Sequence, residues 1–206
     1  MVKVKICGIK TVEDALWAAR CGADALGLNF VRGTPRCIEP DIAQKICHAL
    51  PPFVAKVGVF VNPDPVEIQS ITDSCRLDYV QLHGDETPDF CNEINYVDVI
   101  KAFRVCKTVD LSILKEYTNI CAYLLDARVE GMMGGTGRRI NPELARKAAQ
   151  YGPVILAGGL NPENVAEAVN IAAPFAVDAA SGVENAPGMK SKTMVKQFIN
   201  NAKFLE

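Results

Sequence analysis

The chain has 206 residues, of which 49% are hydrophobic and 22% charged, and its formal net charge is -2. These values predict one globular domain over residues 1–206. The near-neutral charge and scattered basic residues exclude a broad nucleic-acid or membrane surface, and no apolar run approaches the roughly 20 residues that span a bilayer. The N-terminal "MVKVKICG" leads straight into a strand without a secretory signal, so we expect a cytoplasmic protein.

Eight cysteines are spread irregularly along the chain. We predict free thiols instead of disulfides, because the chain is long and lacks a secretory pattern. No Cys-x-x-Cys pair occurs, and neither His48 nor His83 has a cysteine at ligand spacing, so no metal site is predicted. Every thiol except Cys7 is expected to pack as a small core residue.

Short apolar runs alternate with helical patterns along the whole chain. Taken in order, strands are predicted at 2–8, 25–31, 55–61, 79–84, 99–105, 121–127, 153–159 and 175–181. Alternating strands and helices indicate βα units around a parallel sheet with right-handed crossovers. Eight units predict a (β/α)8 barrel, an α/β fold; an open doubly wound sheet, the alternative, would be favoured by five or six strands.

Polar and glycine residues collect where the predicted strands end. The active site of a (β/α)8 barrel lies at this edge, because the loops that follow the strands meet there. The residues are Cys7-Gly8, Arg36, Asn62, Gln81, His83, Arg104, Asp126, Gly158-Gly159, Asp178 and Ser181-Gly182.

Two glycine-containing loops follow the seventh and eighth strands. They are Gly158-Gly159 in "LAGGLNPENV" and Ser181-Gly182 in "DAASGVENAPG". Glycine lets backbone N–H groups approach an anion, and loops after strands seven and eight commonly form the phosphate site of such barrels. We predict a phosphate site, although glycines also serve simply to make turns.

Asp126 ends the sixth strand, in "LLDARVEGMMGGTGRR" (124–139). The glycine-rich loop after it is of a kind that closes over substrates. A carboxyl group kept neutral beside an apolar ligand acts as a general acid. The alternative role of Asp126 is a helix cap or loop anchor.

Cys7 ends the first strand. Side chains alternate along a strand, so Cys7 shares a face with Lys5, and Val4 and Ile6 face the other way. We expect the ammonium group of Lys5 and the backbone donors of the next helix to favour the thiolate. A thiolate acts as a nucleophile or as a general base, whereas a buried structural thiol is the alternative.

Three further side chains are substrate-binding candidates. Arg36 has the planar fork that clamps a carboxylate, or it is a surface arginine. His83 is the histidine at a strand end, and it is an acid, a base or a wall residue. Asp178 holds sugar hydroxyls or organises Lys5.

Nine segments in this order resemble the phosphoribosylanthranilate isomerases of tryptophan biosynthesis, and the resemblance covers essentially the whole chain. The segments are "KICGI" (5–9), "TPR" (34–36), "VGVFVN" (57–62), "VQLHG" (80–84), "LLDA" (124–127), "GGTG" (134–137), "GGLNPENV" (158–165), "VDAASGVE" (177–184) and "PGMK" (187–190).

The resemblance implies a monomeric or homodimeric (β/α)8 enzyme that needs no cofactor. Its substrate would be N-(5-phosphoribosyl)anthranilate, which an Amadori rearrangement converts to 1-(2-carboxyphenylamino)-1-deoxyribulose 5-phosphate. By the same resemblance, Cys7 is the general base, Asp126 the general acid and Arg36 the contact for the anthranilate carboxylate. The phosphate loops correspond to Gly158-Gly159 and Ser181-Gly182. Cys7 would need a modestly lowered pKa and Asp126 a raised one.

This chain departs from the family pattern at three places. Ala180 stands where the family commonly has a first serine, and "RRIN" (138–141) replaces an "FDW"-like sequence after the glycine loop. Ser191 replaces a frequent acidic residue after "PGMK". Neither Cys7 nor Asp126 is affected.

Other functions make different demands on the strand ends. An indole-glycerol-phosphate synthase needs a catalytic lysine and glutamates, and a ribulose-phosphate epimerase needs a metal cluster of histidine and aspartate. A non-catalytic sensor or a differently specific phosphosugar-binding barrel would keep the phosphate loops without needing both Cys7 and Asp126. A redox protein would need paired cysteines.

Overall fold

The computed structural model describes residues 1–105, 110–126 and 142–204. Eight parallel strands form a closed barrel in chain order, because β1 pairs with β2 on one side and with β8 on the other. The predicted (β/α)8 fold is therefore confirmed, and the open-sheet alternative is excluded. The strands are β1 (Lys3–Cys7), β2 (Ala25–Asn29), β3 (Ala55–Phe60), β4 (Tyr79–Leu82), β5 (Asp98–Arg104), β6 (Ala122–Asp126), β7 (Val154–Ala157) and β8 (Ala176–Ala179).

Helices follow the strands around the outside of the barrel. Those with described bounds are α1 (Val12–Arg20), α2 (Pro40–Ala49), α3 (Pro65–Cys75), α4 (Pro88–Glu93), α5 (Pro142–Ala148), α6 (Val165–Ala172) and α7 (Lys192–Lys203). A 3-10 helix, Leu111–Glu116, lies between β5 and β6, where the other units have an α-helix. After β8 the chain forms a 3-10 turn, Ser181–Val183, and a small hairpin of β9 (Glu184–Ala186) and β10 (Met189–Lys190).

Local capping determines where several helices begin. Thr11 precedes α1, and its hydroxyl accepts a hydrogen bond from the backbone N–H of Asp14 at 3.1 Å. The same hydroxyl donates to the Asp14 carboxylate at 2.9 Å, so a short polar pair closes the first turn. Asp64 and Thr87 cap α3 and α4 in the same manner. These caps direct each chain segment from a strand end down the outside of the barrel.

Alternation along the strands separates two cores. Val4 and Ile6 of β1 are fully buried among the side chains between the barrel and the helices, as predicted. A second, smaller apolar cluster fills the barrel itself and comprises Val57, Ile100, Ala102, Ala122, Leu124, Ile155, Ala157 and Ala176. Such inward-facing layers make the barrel a packed core.

Polar groups interrupt the interior near its C-terminal edge. Lys5, Gln81 and Asp178 are buried, although their types are seldom buried without partners. Buried polar groups cost free energy unless they are hydrogen-bonded. Their presence therefore indicates that the candidate site lies at this end of the barrel. No helix within the described ranges is both long and apolar enough to cross a bilayer.

Candidate active site

Cys7 lies at the C-terminal end of β1, where the residue is 8% exposed. Its register partner on β2 is Gly27. A Cβ atom added to Gly27 would lie 2.6 Å from the Cys7 sulfur, so only glycine leaves room for the thiol there. The neighbouring strand thus fits closely around the sulfur and fixes its position at the rim.

Lys5 lies below Cys7 and is paired with a carboxylate. Its Nζ donates to Asp178 Oδ1 at 3.0 Å, across the β1–β8 pairing. Burial alone would lower the pKa of Lys5, but Asp178 and the Cys7 thiol outweigh it and raise the pKa. Lys5 therefore keeps its proton, and Asp178 organises Lys5, one of its two predicted roles.

Lys5 favours the Cys7 thiolate, as expected, but the expected lowering of the Cys7 pKa is wrong. Burial raises the pKa of the Cys7 thiol, and the nearby charge of Asp178 raises it further. The ammonium groups of Lys5 and Lys190 lower that pKa without reversing the shift. The alternation of side chains along β1 placed Lys5 correctly, but the effect of its charge on Cys7 is opposed by burial and by an aspartate from the last strand.

Asp126 ends β6, and its carboxylate is buried beside an imidazole. Asp126 Oδ2 lies 3.2 Å from His83 Nε2, and His83 Nδ1 lies 2.9 Å from Gln81 Nε2. Because an amide nitrogen is a donor, Nδ1 accepts and Nε2 carries the hydrogen in this arrangement. His83 then donates to Asp126, which orients the carboxylate.

Two buried oxygen atoms in this group have no hydrogen-bond partner among the described residues. They are Asp126 Oδ1 and Gln81 Oε1. An unpaired buried acceptor costs free energy, and such atoms at a strand-end rim are suited to a bound ligand. Asp126 Oδ1 is consequently the carboxylate oxygen that has no hydrogen-bond partner among the described residues.

Arg36 follows β2 and folds over the end of β1. A Cβ atom on Gly8 would lie 2.7 Å from Arg36 Cδ, so the arginine stem rests on the residue after Cys7. Its guanidinium forms a bidentate pair with Glu184, with Nε–Oε1 at 2.9 Å and Nη2–Oε2 at 2.6 Å. Arg36 is therefore held in the rim, and the alternative of an unattached surface arginine is excluded.

The two glycine loops touch one another. Gly158 and Gly159 have φ angles of 88° and 70°, the left-handed region that favours glycine. A Cβ atom on Gly182 would overlap the carbonyl oxygen of Leu160, so the loops after β7 and β8 pack backbone to backbone. The loops after β7 and β8, which carry the predicted phosphate residues, therefore lie in direct contact at the C-terminal edge of the barrel.

Three residues near these groups, Asn164, Glu184 and Lys190, were not predicted. Gln81 was predicted at a strand end, but without a role. Asn164 ties its loop together, because its side chain donates to Gly159 O at 3.0 Å and accepts from Asn161 N at 2.9 Å. The sequence did offer a signal for these residues, because they lie in the segments "GGLNPENV" and "VENAPGMK". Polar residues in such segments are equally typical of helix starts and turns.

Part of the predicted site lies outside the described residues. This applies to the glycine-rich segment 127–141, with its expected closing function and the departure at 138–141, and to Cys106. Within the described residues, no group of three or more His, Cys, Asp or Glu side chains has the proximity that a metal ion requires. The seven cysteines described are free thiols.

The barrel's rim combines a thiol, a carboxyl–imidazole pair and two glycine loops that pack against each other. β1 and β6 are separated around the barrel by β7 and β8, so Cys7 and Asp126 lie on different sides of the barrel mouth. Titratable groups collected at the C-terminal edge of such a barrel are typical of an enzyme of the (β/α)8 class.

Comparison with known proteins identifies the family within this class. The family model described as N-(5'phosphoribosyl)anthranilate (PRA) isomerase matches residues 4–201. The PRA isomerase of Geotalea daltonii is 52% identical over 203 residues, which cover 98% of this chain and 97% of the relative. The chain belongs to the PRA isomerase family.

Solved structures agree in fold and length. A crystal structure of the PRA isomerase of Thermotoga maritima has a TM-score of 0.92 and 42% identity, and the match covers 98% of this chain and 99% of that one. A second PRA isomerase was solved with reduced 1-(o-carboxyphenylamino)-1-deoxyribulose 5-phosphate, with a TM-score of 0.88, 41% identity and the same coverage. The fold predicted from sequence is thus shared with members of that family over essentially their full length.

Proposed function

We propose that this protein converts N-(5'-phosphoribosyl)anthranilate into 1-(2-carboxyphenylamino)-1-deoxyribulose 5-phosphate in tryptophan biosynthesis. The observation that carries the proposal is the full-length family match, combined with Cys7 and Asp126 at the ends of β1 and β6. The reaction is an internal redox change between two carbons of one sugar, and proton transfers are sufficient for it.

The first step is ring opening. Asp126, in its protonated form, gives its proton to the ribose ring oxygen while the C1′–O bond breaks. The nitrogen lone pair forms a C1′=N bond, which leaves an iminium ion and a carboxylate on Asp126. The unpartnered Oδ1 suits the transfer, and the His83 hydrogen bond to Oδ2 stabilises the carboxylate that results.

The second step is proton abstraction from C2′. The Cys7 thiolate takes this proton, the C–H electrons form a C1′=C2′ bond, and the iminium electrons return to nitrogen. The enolamine then gains a proton at C1′ and loses one from the 2′ hydroxyl, which gives the ketone. Because the iminium acidifies the C2′ proton, a weak base is sufficient. Lys5 and Lys190 provide the positive charges that favour the thiolate.

Substrate binding is assigned to the rest of the rim. We assign the phosphate to the loops of Gly158-Gly159 and Ser181-Gly182, and the anthranilate carboxylate to Arg36. The bidentate pair with Glu184 uses Nε and one Nη2 hydrogen, so the Nη1–Nη2 edge is left to bind a second carboxylate. His83 acts on the substrate indirectly, through its hydrogen bond to Asp126, and Asp178 acts through Lys5.

Two further properties belong to the proposal. We expect a cytoplasmic enzyme, and the free thiols of the described cysteines fit a reducing compartment. The Thermotoga maritima enzyme is dimeric, and for this chain we keep both a monomer and a homodimer as candidates. Light scattering coupled to gel filtration distinguishes them by mass.

The experiment gives the purified protein freshly prepared phosphoribosylanthranilate and follows the loss of the substrate's fluorescence. Chromatography of the product identifies the ketose, which separates isomerisation from spontaneous hydrolysis to anthranilate. An established PRA isomerase, assayed in parallel, validates the substrate. Turnover to the ketose is expected, whereas tight binding of the product without turnover would support the alternative of a non-catalytic phosphosugar-binding barrel.

A further inference from the structure

The β9–β10 hairpin contacts the loop that carries Arg36. Glu184 starts this hairpin and Lys190 ends it, and the two residues are register partners. Lys190 Nζ lies 2.7 Å from Glu184 Oε1 and donates to Ala180 O at 3.0 Å. The Glu184 carboxylate therefore accepts hydrogen bonds from Arg36 on one side and from Lys190 on the other.

This group of three charges is largely removed from solvent. The Glu184 and Lys190 side chains are 3% and 2% exposed, and the Arg36 side chain is 17% exposed. Burial would raise the pKa of the Glu184 carboxyl, but the hydrogen bonds from Arg36 and Lys190 hold that pKa below its ordinary value. Glu184 is thus a fixed anion between two cations.

Backbone packing attaches the hairpin to the same loop. A Cβ atom on Gly188 would overlap the carbonyl oxygen of Pro35, the residue before Arg36. Lys10 Nζ donates to that carbonyl at 2.9 Å. The turn of the hairpin, the stem of Arg36 on Gly8 and the Glu184 carboxylate together leave the guanidinium little freedom to rotate.

We propose that Glu184 and Lys190 are positioning residues, which present the Nη1–Nη2 edge of Arg36 to the substrate's aromatic carboxylate. They thereby determine the enzyme's preference for a substrate made from a carboxylated amine. A long arginine side chain loses rotamer entropy when it binds an anion, and a side chain already held in place avoids that cost. Specificity for the carboxylate then depends on the hairpin, which begins directly after the Ser181-Gly182 loop. The inference rests on the proposed function.

The test compares two stable inhibitors that differ only in the carboxylate. One is reduced 1-(o-carboxyphenylamino)-1-deoxyribulose 5-phosphate, and the other is the same compound made from aniline. For the unmodified protein, we expect the carboxylated compound to have an inhibition constant about 10- to 100-fold lower, the range of a charge-assisted bidentate contact.

The Glu184→Gln variant keeps the size of the side chain and removes its charge. We expect its inhibition constant for the carboxylated compound to rise about tenfold, and that for the aniline compound to change less than about threefold. Lys190→Met should act in the same direction, and it provides the same comparison if Glu184→Gln does not fold. Equal weakening of both inhibitors in a folded variant would show a general structural role and overturn the proposal.

Glu86→Gln is the matched control. Glu86 is also a buried glutamate paired with a lysine, at 2.8 Å from Lys101 Nζ, but it lies in the loop after β4. Its substitution should lower stability without changing the ratio of the two inhibition constants. Turnover of phosphoribosylanthranilate by the unmodified protein is measured first. Its absence counts against the proposed function, whereas turnover with an unchanged ratio in Glu184→Gln counts against the positioning role alone.

Discussion

His83 and Asp126 are joined across the barrel rim, with His83 Nε2 at 3.2 Å from Asp126 Oδ2. The residues follow β4 and end β6, so β5 lies between their strands. The Gln81 amide nitrogen donates to His83 Nδ1, so the ring hydrogen is carried by Nε2. The carboxylate thus has one oxygen bound by the histidine and one without a hydrogen-bond partner among the described residues.

Substitution His83→Ala should reduce kcat about 10- to 100-fold with a smaller change in KM. The reason is that a hydrogen bond to a charged group contributes about 1.5–3 kcal/mol, and this one stabilises the carboxylate formed as the proton leaves. Steady-state kinetics with phosphoribosylanthranilate measure the change. His48→Ala, at the exposed end of α2, should leave both constants within about twofold. An unchanged kcat in His83→Ala would remove the histidine from the mechanism.

The Cys7 thiol should be slow to react at neutral pH. Because burial raises its pKa, the thiolate fraction is smaller than for a free cysteine, whose pKa is about 8.5. The rate of Cys7 alkylation by iodoacetamide, followed by mass spectrometry of its peptide, should rise with a midpoint above that value. Removing a neighbouring positive charge with Lys5→Met should move the midpoint higher. A midpoint below pH 8 in the unmodified protein would contradict the raised pKa.

Gly182→Ala should impair phosphate binding. The added methyl group would overlap Leu160 O and force the loops after β7 and β8 apart. We expect KM to rise about tenfold or more, and inhibition by inorganic phosphate to weaken in parallel. The control Gly22→Ala introduces strain at a φ of 98° near the opposite end of the barrel, so it should lower stability and leave KM unchanged. Equal KM values in the two variants would exclude these loops from the phosphate site.

Removing one partner of the Lys101–Glu86 pair should lower the stability of the protein strongly. Lys101 Nζ donates to Glu86 and to Gly84 O, both at 2.8 Å, and Glu86 Oε1 accepts from Asn62 N at 2.8 Å. Lys101→Met leaves a buried charge without its partner, at a cost of about 3–5 kcal/mol. Urea unfolding followed by circular dichroism measures it. The exposed Lys45, 3.7 Å from Asp41, serves as control, since Lys45→Met should leave the midpoint nearly unchanged.

Local patterns in the sequence were sufficient for the fold and for the location of the site. Alternation along β1 separated Val4 and Ile6 from Lys5 and Cys7, and eight strand patterns led to the closed barrel. These features depend on neighbours within a few residues, so periodicity reports them directly.

Long-range electrostatics could not be predicted in the same way. Lys5 is paired with Asp178, 173 positions away, and Arg36 with Glu184, 148 positions away. Neither pairing has a local signature, because each depends on closure of the barrel between β8 and β1. The expectation of a lowered Cys7 pKa failed chiefly because burial raises that pKa, and the sequence offered burial of the thiol and pairing of Lys5 with Asp178 only as alternatives.

The central claim is that Cys7 takes the C2′ proton while Asp126 supplies the proton for ring opening. Its most direct test is kcat for phosphoribosylanthranilate, measured side by side for the unmodified protein, Cys7→Ser and Asp126→Asn, with Cys21→Ser as a control thiol outside the rim. We predict losses of about 10²- to 10⁴-fold in the first two variants, while both still bind the reduced product analogue and Cys21→Ser retains full turnover. Near-full activity in either Cys7→Ser or Asp126→Asn would contradict the role assigned to that residue.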